Sequence, residues 1–179
     1  MSAPSLASIV LFTMQALKNE GSWCGETHVQ KALYLCQMLA GVPSDFKFIL
    51  YKHGPFSFQL SDYLQSLIAD EIVQVVSRHP YGPMLCISDE AIDIASEVNS
   101  NEKIASGISF VAKNLGSKNV SELEKLATAV FVNNKYGSEL SLEKRAEILT
   151  SLKSHVQLDA ARSAFIDAER LASEAQSVH

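Results

Sequence analysis

A mainly helical fold with a small β element is what this 179-residue sequence predicts, with a winged-helix-like module at its N-terminal end. Three observations carry that expectation. Apolar residues recur at helical spacing over most of the chain. Extended-chain signals are confined to about residues 46–88, where a Gly-Pro break and a β-branched hairpin pattern occur. The resulting order of helix, helix, short strand, helix, β-hairpin is that of a winged helix. Residues 1–100 are expected to form this module and 101–179 a C-terminal helical part, the two packed as one unit.

The first helix is expected over Pro4 to Lys18, with Leu6, Ile9, Val10, Phe12, Met14 and Leu17 on one side. Pro4 suits a first helical turn. No Lys or Arg precedes this apolar stretch, and Ser8, Thr13 and Gln15 interrupt it. It therefore reads as an amphipathic helix, not an export signal. A second helix is expected over Thr27 to Ala40, with Thr27 as cap and Gln30 completing a capping box. Gly41 and Pro43 end it. Phe46 to Tyr51 reads as a short strand stopped by Gly54-Pro55, and Ser57 as the cap of a third helix over 58–70. IVQVVS, HPYGP and MLCIS, between Ile72 and Ser88, read as strand, turn and returning strand. A further helix follows through Ala91 and Val98. The C-terminal helices are placed at 102–115, 121–136, 141–154 and 157–176. Ser121 and Glu124 have capping-box spacing, and Ser141 can cap the third of these. The last few residues are expected to fray.

Composition narrows the function classes. A hydrophobic fraction of 47% supports a real core, and no apolar run approaches the roughly 20 residues of a membrane span. A cytoplasmic protein is expected. Cys24, Cys36 and Cys86 are widely spaced and odd in number, so neither a disulfide framework nor a zinc site is indicated. They read as small buried apolar residues. No metal or cofactor is expected. The net charge is −5, and long basic tracts are absent.

Winged helices often bind DNA, which makes a DNA-binding regulator the alternative reading. The residues expected on the outer face of the third helix, Gln59, Ser61, Asp62, Gln65, Ser66 and Asp70, include no cation. Phosphate contacts need positive charge, and the commonest base contact is Arg to guanine. Nucleic acid is therefore disfavoured as a partner. Only Arg78 and His79 at the hairpin tip, or a cluster such as Lys144 with Arg145, could supply a patch. For an enzyme, the motifs HExxH, GxSxG, P-loop and GxGxxG are all absent. Of the five histidines, His28 lies near Cys24, but a nucleophilic thiol needs a positioned base and an activated thiolate. The plainer reading makes Cys24 a turn residue and His28 a helix-surface residue. Glu122 with Glu124, and Glu143 with Glu147, read as capping and solvated faces. No catalytic residue is assigned.

The remaining candidate is the basic, aromatic turn Tyr51, Lys52, His53, Gly54, Pro55 and Phe56. Pro55 is expected to hold Gly54 extended. On one reading the turn only links strand to helix. On the other it is a recognition surface, because aromatics beside a cation suit interface hot spots.

VQKALYLCQMLAGVP (29–43) and FILYKHGPFSFQLSDYLQSLIADEIV (48–73) together resemble small bacterial proteins of the YwgA-like group. The matching positions are Lys31, Leu33, Tyr34 and Leu35, then Tyr51, Gly54, Pro55 and Ser57. The pattern is similar to that of the Panacea domain found in antitoxins, with Ala32 standing between Lys31 and Leu33 here. The resemblance implies a winged-helix-like module without established catalytic residues. For Panacea-type domains it implies neutralisation of a toxin by protein contact. The C-terminal helices exceed what a bare Panacea domain carries. The function expected is thus a noncatalytic interaction or regulatory module, antitoxin-like or defence-associated, that contacts a protein partner around Tyr51–Phe56. A homodimer through an apolar helical face is the other association considered.

Overall fold

Helix α2 (Glu26–Leu39) has no polar face over most of its length: every residue from His28 to Cys36 is buried. A helix enclosed on all sides belongs at the centre of a molecule. The computed structural model describes residues 4–177. Around α2 pack α1 (Leu6–Asn19), α3 (Phe58–Ala69), α5 (Glu102–Leu115), α6 (Val120–Tyr136) and α8 (Leu158–Gln176). Helix α4 (Ala91–Ser96) continues into a 3-10 turn over Glu97–Ser100 and rests on α1, while α7 (Leu142–Leu152) closes on α6 and α8. One apolar cluster runs from Ile9 through Leu33, Leu64, Ile108 and Val130 to Phe165. Burial of each such Leu or Ile contributes roughly 2 kcal/mol.

The fold is mainly helical, with eight α-helices and two small antiparallel sheets among the described residues. Two helices, an extended segment, a third helix and a hairpin follow one another as expected. Strands β3 (Val73–Val76) and β4 (Met84–Ile87) form the hairpin after α3, in the register Val73–Ile87 and Val76–Met84. The short strand before α3 differs from expectation. It is β1 (Ile49–Tyr51), and it turns through Lys52 and His53 to pair with β2 (Gly54–Phe56) in a second hairpin of its own. Gly54-Pro55 therefore opens a strand where the sequence suggests a stop. Pro55 is admitted because its missing N–H faces no ladder position. Gly54 has φ +88, not the ordinary extended value expected ahead of a proline.

Helix boundaries agree to within a few residues, and the differences lie in the caps. Helix α1 starts at Leu6 with Ser5 as its cap, so Pro4 precedes the helix instead of standing in its first turn, and Ser57 and Ser141 cap α3 and α7 as expected. Helix α2 starts behind Gly25, which has no side chain to cap it; Thr27, the expected cap, lies within the first turn, and Gln30 bonds Ser57 instead of closing a capping box. The capping box of α6 is Asn119 with Glu122, two residues ahead of the Ser121–Glu124 frame. Glu124 is thereby free to point inward. Residues 178–179, where fraying is expected, lie outside the described residues, as does the start of the N-terminal stretch. No helix among the described residues is long and apolar enough to cross a membrane.

Candidate functional site

Two polar side chains in the middle of α2 must find partners away from water: Lys31 finds the β1–β2 hairpin, and Gln30 finds Ser57 just after it. The Gln30 amide accepts from the Ser57 N–H at 2.9 Å and donates to the Ser57 carbonyl at 3.0 Å. Lys31, 1% exposed, donates from Nζ to the Pro55 carbonyl at 2.9 Å. Charge-assisted bonds of this kind are stronger than neutral ones, and leaving such a group unpaired is costly. The two stretches that carry the resemblance, 29–43 and 48–73, thus meet as a clamp and the strand it holds.

Helix α6 and the end of α7 supply the other jaw. Glu124 and Lys153 are each 6% exposed. Lys153 Nζ donates to the Tyr51 and Lys52 carbonyls, both at 2.6 Å, and lies 3.2 Å from Glu124 Oε1. Glu124 Oε1 accepts no hydrogen bond among the described residues, so Lys153 meets it as an ion pair. Glu124 Oε2 also faces His155 Nε2 at 3.4 Å and His53 Nδ1 at 4.0 Å. Gly54 sits against this jaw. A Cβ there would stand 3.1 Å from Thr128 Oγ1 and 3.4 Å from both the Glu124 carbonyl and Lys31 Cε. Only glycine fits that contact and the positive φ together.

What the clamp presents outward is aromatic. Tyr51, Phe56 and Phe58 form a closed triangle of rings, with centroids 5.6, 5.5 and 5.1 Å apart. Tyr51 is 52% and Phe58 54% exposed, and Ile49 on the same strand face is exposed as well. The six residues singled out in the sequence therefore divide. Tyr51, Lys52, His53 and Phe56 reach the surface, whereas Gly54 and Pro55 are buried as the anchor. Sequence reasoning missed Phe58, Gln30, Lys31, Glu124 and Lys153. The spacing of Glu124 from Ala127 and Thr128, three and four residues on, puts it on their inward face and could have found it.

The other candidates do not assemble. Cys24 is buried, its sulfur 3.7 Å from the Met14 carbonyl, and burial pushes its thiol up to about 12. His28 is buried rather than on the helix surface, and burial pushes its pKa down. A cavity of about 640 Å³ near Trp23 and Tyr81 is lined by His28 but not by Cys24. The pocket joining thiol to imidazole, which nucleophilic chemistry would use, is not formed. Cys36 is fully buried and Cys86 half-buried. The described residues contain no grouping of three or more His, Cys, Asp or Glu side chains suited to a metal ion. Arg145 does not join Lys144 in a basic patch. It is buried and pairs with Glu169 at 2.7 Å, while Lys144 pairs with Glu147. The outer face of α3 carries Asp62 and Asp70 and no cation.

Burial lowers the pKa of Lys31 to about 8, against the opposing pull of Glu124. The unfolded chain then holds the lysine proton more tightly than the fold does. Stability must rise with pH between about 8 and the unfolded value of 10.5. Cys24, Cys36 and Tyr34, all pushed up by burial, oppose this trend above their ordinary ranges, so the comparison is with Lys31→Met, which keeps all three. Urea titrations should show the wild type gaining up to about 3 kcal/mol on Lys31→Met across that window. A constant difference would mean that Lys31 titrates as in water.

No protein-family model matches the chain, and no curated protein matches it.

Proposed function

We propose that this protein is a noncatalytic interaction module that binds a partner protein through the aromatic face of the β1–β2 hairpin, centred on Tyr51, Phe56 and Phe58. The observation that carries this reading is the contrast between the two sides of the hairpin. Its backbone is gripped by two buried lysines, and a buried glutamine holds Ser57 directly after it, yet Tyr51 and Phe58 are left open to solvent. Rigid aromatic anchors lose little entropy on binding, and interface hot spots are enriched in them. Exposed Lys52 beside the rings adds a charge suited to an acidic partner surface.

The resemblance to Panacea-type domains supports a toxin as the class of partner, and a role in defence or toxin control in the cytoplasm of a bacterium. A DNA-binding regulator is the second reading, favoured by the winged-helix order alone. The acidic outer face of α3 and the charge of residues 1–90, 5 Lys or Arg against 8 Asp or Glu and so 5 − 8 = −3, speak against it.

Affinity capture of the tagged protein from its native host, with and without nuclease, separates the two. A stoichiometric protein partner that survives nuclease is the expected result. Recovery of nucleic acid, or of partners lost on nuclease treatment, would put the DNA reading first.

A further inference from the structure

The pairing of β1 with β2 fixes which backbone groups are left over. The register is Ile49 with Phe56, Leu50 with Pro55 and Tyr51 with Gly54. Pro55 has no N–H, so Leu50 and Pro55 form a non-hydrogen-bonded pair, and the ladder bonds fall at the two pairs beside it. The Pro55 carbonyl accordingly points away from β1, where Lys31 takes it. By the same geometry the Leu50 N–H and carbonyl point away from β2. They have no hydrogen-bond partner among the described residues, and no further strand lies beside β1. An edge of this kind is a template for another extended chain.

The edge is also equipped. A groove of about 570 Å³ opens beside β1, its strand-side wall being Phe48, Ile49 and Leu50. The opposite wall comes from the later turns of α2 and α6, with Tyr34, Met38 and Phe131 apolar and Gln37 and Asn134 polar. Its only formal charge is Lys135, which lies over the Phe131 and Tyr136 rings, 5.7 and 5.5 Å from their centroids. Lys135 has no carboxylate within ion-pair distance among the described residues.

We infer that the β1 edge binds an extended, acidic peptide segment of the partner by strand addition, with Leu50 supplying the main-chain hydrogen bonds and Lys135 receiving a carboxylate. This inference rests on the reading of the hairpin as a protein-binding element. Helical and small-molecule occupants fit less well, because neither uses a paired backbone donor and acceptor on a strand edge. Strand addition draws affinity from main-chain bonds and specificity from pockets for alternate side chains. The groove provides one such pocket beside the edge, and Lys135 sets the preferred charge.

The test uses a phage-displayed random peptide library panned against the full chain, with the enriched sequences remade as synthetic peptides. Expected are peptides in which an acidic residue is flanked by apolar ones. On binding they should slow the exchange of the Leu50 amide proton, read by NMR, by about tenfold or more. Leu50→Pro removes the outward N–H together with the Leu50 side chain, which lines the groove, so it is read against Leu50→Ala: the proline variant should bind about tenfold or more weaker than the alanine variant at a similar Tm. Lys135→Glu should turn the selected charge from acidic to basic, and it keeps the test decisive should Leu50→Pro not fold. Failure to enrich any peptide, or enrichment of peptides with helical apolar spacing, would overturn the inference. So would binding that leaves Leu50 exchange unchanged. If such binding is lost in Tyr51→Ser with Phe58→Ser, the aromatic face is the partner site and strand addition is wrong. If Leu50 is protected while that double variant binds the peptide normally, the edge is a site separate from the rings; the aromatic reading fails only if the double variant also captures the whole partner normally.

Discussion

Glu124→Gln should cost the fold about 3 kcal/mol or more, although it removes only one charge and no volume. The carboxylate is the counter-charge for Lys153, 3.2 Å away, and it opposes the loss of the proton from Lys31. All three side chains are buried. Without the carboxylate, two ammonium groups remain out of water with only carbonyl oxygens to face. Breaking a buried pair in this way is far more damaging than losing a surface one. The control lies two residues earlier. Glu122→Gln keeps the capping box with Asn119, because glutamine serves at that position, and should stay within about 0.5 kcal/mol of the wild type. Urea unfolding of the three proteins checks both values. A cost for Glu124→Gln no larger than that for Glu122→Gln would mean that the clamp does not hold the hairpin.

The second large effect is on binding. Replacing Tyr51 and Phe58 together by serine should weaken capture of the partner by about a hundredfold, roughly the loss of two modest hot spots. The melting temperature should change little, because both rings are half exposed and neither belongs to the buried core. The two predictions separate the faces of one hairpin: the clamp sets stability, and the rings set affinity. A double variant that melts early would instead make the aromatic triangle part of the fold. Titration of the purified complex beside thermal unfolding distinguishes these outcomes.

Much of the architecture was legible from the residues, and the reasons are local. Helical periodicity, Ser caps at Ser57 and Ser141, and the β-branched run at Ile72–Val76 each act over a few positions. What escaped depends on distance or on frame. The β1–β2 hairpin has a Lys-His turn without the usual Asn-Gly signal, and its return strand contains a proline. The capping box admits two frames, Asn119–Glu122 and Ser121–Glu124, and only packing selects between them. Choosing the second hides Glu124 as a surface residue. Gln30 likewise looks like a capping partner for Thr27, because nothing local reveals Ser57 lying 27 residues on. Lys31 is the sharpest case: a lysine in an apolar run reads as a solvated point until its partner, the Pro55 carbonyl, is known. The aromatic turn itself is visible, but Phe58, the first residue of α3, lies beyond the stretch Tyr51–Phe56 that the sequence singles out.

The central claim is that the open face of this hairpin meets a protein. Photo-crosslinking from that face in the native host tests it most directly, using Phe58→p-benzoylphenylalanine and, as control, the same replacement of exposed Ile166 on α8. A discrete, nuclease-resistant protein adduct from position 58, absent from position 166, is the result this account predicts. No adduct at position 58 while position 166 yields one, or adducts at 58 that disappear with nuclease, would contradict it.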